Sequence, residues 1–429
     1  MTASDVPVLA DGTPYKEYVL AFSWAVYLWA TYLNYRQHVA LRNPYIPPSM
    51  SKVIDQKESD KARAYGLDKS RFSFFTDAFE QLQNTAFIHW DILPLFWNWA
   101  GQVIIRAGYG LEYEITQSIV FVALMSISGM IFNLPFSIYR TFVIEQRHGF
   151  NKTTPKLFVM DMIKETTLSA VIGIPLIAAF LKIIDWAGQD FYFYVWVFML
   201  VVQLVMILIF PTLIQPLFNT FTPLPEGSLR DKINALATRI NFPLKKLFVI
   251  DGSKRSAHSN AYFYGFFGNK RIVLYDTLLE QSTEDEVCGV LAHELGHWQY
   301  NHVLHSLVIV QLHLFSLFYL FSVFVNHVPL YRSFGFMTQP PLIGFTLFQY
   351  VILPVETIIQ FLMNMVSRRN EFQADAFAKG LGYAALLKSA LIKLHVENKG
   401  TLNPDKWYSA WHYSHPPLVE RLEAIGKTE

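Results

Sequence analysis

Seven stretches of this chain approach the roughly 20 consecutive apolar residues that a helix needs to cross the hydrocarbon core of a bilayer. They run from Tyr18 to Leu33, Thr85 to Ile105, Ile115 to Ile138, Leu168 to Ile184, Tyr192 to Ile214, Val303 to Asn326 and Leu342 to Met365. Residues that are 52% hydrophobic and only 16% charged agree, since about a quarter of a soluble domain is charged. The chain therefore reads as a mainly α, polytopic membrane protein.

Loop charge supports seven spans independently. Arg36, Arg42, Lys52, Lys57, Lys61, Arg63, Lys69 and Arg71 lie between the first two stretches, and Arg140, Arg147, Lys152, Lys156 and Lys164 follow the third. The polar region after the fifth is basic too, whereas the alternate connections hold almost no Lys or Arg. This alternation predicts a luminal N-terminus and a cytosolic C-terminus. The first residues show no basic segment followed by an apolar run and a cleavage site, so the first span is expected to do its own targeting. The tail has no cysteine for prenylation and no luminal retention signal. His89, Asp91, Gln203, Gln311, His313 and Glu356 interrupt the apolar stretches, which suggests either a watery interior or polar ties between helices.

A formal net charge of +1 without a dense basic cluster gives no reason to expect nucleic acid as a partner. The single cysteine, Cys288, excludes an internal disulfide and fits core packing in Val287-Cys288-Gly289-Val290-Leu291. In the polar block before it, Gly227 to Arg239 reads as a helix and Lys246 to Ile250 as a strand. Ala261 to Phe266 and Arg271 to Tyr275 read as two strands joined through Gly268-Asn269-Lys270. A further helix is expected to open near Ser282-Thr283-Glu284-Asp285.

That helix carries His293-Glu294-Leu295-Gly296-His297. Residues four apart lie about 40° apart around a helix, so two imidazoles face one ion while the glutamate stands beside a metal-bound water as general base. The metzincin spacing fails, because Tyr300 and Val303 stand where glycine and histidine are required; His302 and His305 lack that spacing as well. Downstream, Ser367-Arg368-Arg369-Asn370-Glu371-Phe372-Gln373-Ala374-Asp375 sets Glu371 and Asp375 four apart. Glu371 can complete a His, His, Glu set, and Asp375 can accept the spare ring N–H of a liganding histidine. Asn403-Pro404-Asp405 resembles the third-ligand motif of intramembrane site-2 proteases, but lies in a polar stretch and reads as a loop. A transporter or scaffold with structural zinc would have no use for Glu294.

With these residues on the page, the chain resembles the integral-membrane zinc CAAX prenyl proteases, the type that matures a-factor and prelamin A. The resemblance covers most of the chain, including Glu145-Gln146-Arg147-His148-Gly149-Phe150-Asn151-Lys152, Gln215-Pro216-Leu217-Phe218-Asn219, Pro223-Leu224-Pro225-Glu226-Gly227, Ser259 to Gly265 and Ser414 to Arg421. It implies seven transmembrane helices enclosing a water-filled chamber, with a gluzincin-like zinc metalloprotease domain containing a small β-sheet. It implies one catalytic Zn²⁺ on the cytosolic side, and as substrates prenylated CAAX proteins that lose their last three residues, some with a second upstream cut. Broader membrane-protein quality control is the alternative. It further implies that Asn260, Ala261 and Tyr262 form an edge strand for an extended substrate, and that His415 and Arg421 lie near the zinc with His415 donating to an oxyanion. The endoplasmic reticulum membrane and inner nuclear membrane are the implied locations. The division expected is residues 1–218 for five spans, 219–302 for the metalloprotease block, 303–365 for spans six and seven, and 366–429 for a C-terminal block.

Overall fold

The structure of the chain, a computed structural model, describes residues 13–48, 50–51, 54–265 and 270–426. Expectations that fall on the first twelve residues, on Lys52, on Phe266, Gly268 and Asn269, and on the tail after Gly426 lie outside the described residues.

Among the described residues, seven helices of 19 residues or more form a ring. In chain order, α1 (Tyr15–Arg42) and α2 (Gln56–His89) precede a shorter α3 (Ile92–Arg106), followed by α4 (Glu114–Tyr139), α5 (Pro155–Ala187) and α6 (Phe191–Ile209). Beyond a polar block come α10 (His302–Phe324), the short α11 (Val328–Ser333) and α12 (Pro341–Gly380). α1 packs on α2, α2 on the π-helical end of α4 at Arg140–Glu145, α4 on α5, α5 on α6, α6 on α10, α10 on α12, and α12 back on α1. Among the described residues, four continuous helical stretches are long and apolar enough to cross a membrane, and one of them, Pro155–Leu217, holds both α5 and α6. α1 and α2 have the length, but tyrosines, tryptophans and charges dilute their apolar character.

The second apolar stretch is not one span. α2 ends at His89, Asp91 turns the chain with a left-handed φ of 53°, and α3 begins at Ile92. The Asp91 carboxylate receives the Lys16 ammonium at 2.8 Å. A hydropathy window averages across this corner. The wall of the ring is α2 itself, which at 34 residues is about 50 Å long, so its charged first turns reach past a ~30 Å apolar layer. Of the polar residues within apolar stretches, Gln311 donates to Gln203 between α10 and α6, and His313 lies 3.3 Å from Glu356 between α10 and α12.

One end of the ring is plugged. Tyr15, Ile88, Trp97, Phe121, Leu181 and Tyr331 bring α1, α2, α3, α4, α5 and α11 into one buried apolar cluster with the start of α12. The other end carries the polar block: β1 (Phe221–Pro223), α7 (Ser228–Arg239), β2 (Leu244–Ile250), β3 (Ala261–Tyr264), β4 (Lys270–Tyr275), α8 (Asp276–Gln281) and α9 (Glu284–Gln299). The sheet order is β1-β2-β4-β3, with β2 and β4 parallel and both outer pairs antiparallel. β3 is therefore an edge. α13 (Ala384–Glu397), α14 (Lys406–His412) and α15 (Leu418–Gly426) complete the chain. Asp405 caps α14 and pairs with Arg36 of α1 at 2.9 Å, which tethers the C-terminal block to the ring.

α9 is buried on nearly every side, with ten of its sixteen residues enclosed, Cys288 among them. Burial pushes the Cys288 thiol up to about 11. The helix starts with a reciprocal capping box: Thr283 Oγ1 accepts from Glu286 N, and the Glu286 carboxylate accepts from Thr283 N. Glu286 also receives the Ser389 hydroxyl and the Lys393 ammonium of α13, each at 2.7 Å. Burial alone would raise its carboxyl, but Lys393 and the other donors hold it down at about 2. Because the folded value is depressed, the contribution is present above the unfolded value and vanishes as pH falls through the folded one. Glu286→Ala is expected to cost about 2–3 kcal/mol at neutral pH. Thermal melts of the two proteins in detergent should differ at pH 7 and converge as pH is lowered from 4.5 toward about 2.

Candidate active site

His293 and His297 project from one face of α9, and α12 delivers Glu371 opposite them. His293 Nε2 lies 3.3 Å from His297 Nε2 and 3.5 Å from Glu371 Oε2, and His297 Nε2 lies 3.3 Å from Glu371 Oε1. Tetrahedral ligands with bonds of about 2.0–2.1 Å stand about 3.3 Å apart, so the spacing fits one metal ion. Glu371 Oε2 is buried and accepts no hydrogen bond. Among the described residues, these three form the group placed so that it could hold a metal ion. Their donor set, two imidazoles and a carboxylate, leaves a further coordination position free for chemistry.

This convergence depends on small residues where the helices cross. A Cβ on Gly296 would come within 2.9 Å of Ala374 Cα and 3.1 Å of Ala374 O, so the glycine inside the histidine motif lets α12 approach α9. Ala374 lies on the same helix as Glu371, three positions on.

A buried polar network surrounds the ligands. Asp375 Oδ1 lies 2.8 Å from His293 Nδ1, which directs that ring's Nε2 at the metal position. Arg421, on α15, holds Asp375 in a bidentate pair, donating from Nε at 2.8 Å and from a guanidinium nitrogen at 2.6 Å. Another of its nitrogens lies 3.4 Å from Glu371. The His293 imidazole is pulled down by burial but held up to about 9 by Asp375 and Glu371. A surplus of negative charge that favours an imidazolium also favours a dication in its place. Burial raises the Glu294 carboxyl, against the pull of His293 and His297.

His302, set aside in the sequence for want of the metzincin spacing, belongs to the site in another way. Asn301 turns the chain at φ 53°, so His302 opens a new helix and its Nδ1 lies 2.9 Å from His297 Nδ1. Its Nε2 lies 3.0 Å from Gln373 Oε1. With His297 Nε2 toward the metal, the His297 N–H donates to His302 and the His302 N–H donates to Gln373. The only signal in the sequence was a second histidine five residues on, whose direction depends on the Asn301 corner.

His293, Glu294, His297 and Glu371 line a cavity of about 310 Å³ together with Asn260, Ala261, His415 and Arg421. His415 stands between α14 and α15, largely exposed, with Nε2 3.3 Å from Glu371 Oε1. β3 brings Asn260 and Ala261 to this cavity. Strand alternation turns Tyr262 away, toward Tyr264 and Tyr275. Val290, Leu387 and Leu391 make the cavity's apolar wall.

Residues 35–220 match the family described as CAAX prenyl protease N-terminal, five membrane helices, and residues 223–429 match peptidase family M48. CAAX prenyl protease 1 homolog from Oryza sativa is 52% identical over 96% of this chain and 97% of its own length. The human CAAX prenyl protease 1 homolog is 43% identical over 95% of this chain and 94% of its own. The crystal structure of S. mikatae Ste24p superposes with a TM-score of 0.91 at 43% identity, covering 97% of this chain and all of that one.

Gly296→Ala should push α12 away from α9 and lower metal affinity about 10- to 100-fold. Metal titration of the apoprotein with a competing chelator measures it. Gly129→Ala, where the added methyl meets nothing within 4 Å, is the matched control. Equal affinity in both variants would show that the crossing tolerates the methyl.

Proposed function

Because this chain belongs to peptidase family M48, in the branch of the CAAX prenyl proteases, we propose that it is a membrane-embedded zinc endopeptidase. Its reaction removes the last three residues from prenylated CAAX proteins, on the carboxyl side of the prenylated cysteine, and the same cavity makes a second upstream cut in substrates that undergo one. The observation that carries this reading is the convergence of His293, His297 and Glu371 beside Glu294 in a cavity bordered by an open sheet edge. A closed structural site would need a fourth protein ligand and no neighbouring base.

Two imidazoles and a carboxylate suit Zn²⁺, which when bound polarises the scissile carbonyl and makes water acidic near neutral pH. Glu294 takes the water proton on its carboxylate as the oxygen adds to the carbonyl carbon. It then gives that proton to the departing amine as the C–N bond breaks, leaving a new carboxylate and a free tripeptide. The free edge of β3 beginning at Ala261 pairs with the substrate backbone, which leaves side chains of varied size acceptable; Asn260 helps set that edge, its carbonyl accepting from Tyr275 N and its Oδ1 from Ala261 N. His415 supplies an N–H to the oxygen that gains charge in the transition state, and Arg421 holds Asp375 and through it His293. The working division is five spans over residues 1–218, the metalloprotease block over 219–302, two spans over 303–365 and a C-terminal block over 366–429. The membrane is that of the endoplasmic reticulum and the inner nuclear membrane, with the N-terminus in the lumen and the site facing the cytosol.

The test is cleavage of a synthetic farnesylated CAAX peptide by purified protein, read by mass spectrometry. Release of the C-terminal tripeptide should stop with a chelator and return with Zn²⁺; chelator-insensitive release would overturn the assignment. Glu294→Gln should keep its zinc and lose turnover, because the base is gone and every ligand remains. His415→Ala should keep zinc and KM while kcat falls about 100- to 1,000-fold. An unchanged kcat in folded, zinc-loaded His415→Ala would remove the oxyanion role.

A further inference from the structure

The segment Glu145-Gln146-Arg147-His148-Gly149-Phe150-Asn151-Lys152 stands out in the sequence, yet none of its residues lines the catalytic cavity. It follows the π-helical turn that ends α4, and such widened turns re-aim side chains at functional places. Gly149 then turns the chain at a φ of 80°.

Two sets of contacts meet there. On the membrane side, Glu145 accepts the Tyr65 hydroxyl of α2 at 2.8 Å, while His148 and Arg147 both reach Asp68 of α2, at 2.9 and 2.7 Å. On the other side lies the connection from β2 to β3, which carries little regular structure of its own and ends in Ser259-Asn260. Lys152 N donates to Arg255 O at 3.1 Å, Ala257 N donates to Phe150 O at 3.2 Å, and Asn151 bridges antiparallel to Ser256. Arg255 is itself locked to Asp161 of α5 by two bonds of 2.7 and 2.9 Å. Phe150, only 3% exposed, lies flat on the His258 ring at 4.1 Å with 16° between the planes. His258 is fixed from its other sides: Nδ1 lies 2.7 Å from Asn398 Oδ1, and its carbonyl accepts the Thr277 hydroxyl at 3.0 Å.

We propose that the Glu145–Lys152 segment is the positioning element of the substrate-binding edge: through the Phe150–His258 stack and its pairing with residues 255–257, it sets where Asn260 and Ala261 stand relative to Glu294. A loop that must present backbone groups to a peptide needs its position supplied from outside, because its own hydrogen bonds are few. Here the supply comes from α2, α4 and α5, so the membrane ring holds the strand that receives the substrate. Backbone pairing along that strand is made equally in the bound and transition states. Its displacement therefore raises KM and leaves kcat in place.

The inference rests on the peptidase function proposed above, and the test keeps the two apart. kcat, KM and zinc content are measured with the farnesylated CAAX peptide for wild type, Phe150→Leu, Phe150→Tyr, His258→Ala and the Phe150→Leu/His258→Ala double variant. Phe150→Leu and His258→Ala should each raise KM about 10-fold with kcat within about 2-fold and full zinc. Phe150→Tyr, which keeps the ring, should stay near wild type. The double variant should raise KM by clearly less than the two single effects combined, because the stack they share is lost only once. Unchanged KM in folded, zinc-loaded single variants, or additive effects in the double one, would overturn the positioning role. A merely structural role would lower kcat and zinc together with the folded fraction at constant KM, and that outcome also overturns it. Absence of chelator-sensitive hydrolysis by the wild type would instead defeat the proposed activity.

Discussion

The close crossing of α9 and α12 at Gly296 and Ala374 is the contact on which the rest depends. The histidines belong to one helix and the carboxylate to another, so a metal site exists only where the two backbones come close enough for short side chains to meet. α9 is walled in on its other flanks as well. A Cβ on Gly289 would lie 2.9 Å from Leu387 N of α13, so the helix is gripped from two directions by backbone. Interiors packed this tightly resist small displacements, and that resistance preorganises the ligands.

Charge adds a second layer of order. Glu371, Asp375 and Arg421 are all buried, and they contact one another and the histidines. Removing one member of such a group strands the others away from water, which costs far more than any single bond is worth. Arg421 arrives on α15, at the far end of the chain, where Leu418 and Leu422 pack in a cluster with Met50 and Ile54. The buried charge network around the histidines is thus complete only once the C-terminal helix has docked.

The parts legible in the sequence were those whose partners are close in the chain. The α9 histidines follow from helical periodicity, the start of α9 from Thr283 and Glu286, and most apolar spans from their own composition. Glu371 and Asp375 could be paired because they share a helix face. The corner at Asp91 was invisible, since apolar residues continue on both sides of it, and the full length of α2 hid because its first half is charged. His302 and Gln373 required the turn at Asn301, which no spacing rule encodes. β1 was missed because three residues carry too little pattern, and its pairing with β2 is tertiary. His415 and Arg421 came from family resemblance alone; a histidine before two prolines and an arginine on an amphipathic helix carry no chemistry by themselves.

α12 runs unbroken for 40 residues, from the apolar plug through the ring past the Glu371 carboxylate. Glu371 lies six residues past Met365, where the apolar stretch ends, or about 9 Å further along the axis. One continuous helix therefore fixes how far the Glu371 carboxylate stands from the apolar part of the ring, as a depth stop does on a drill.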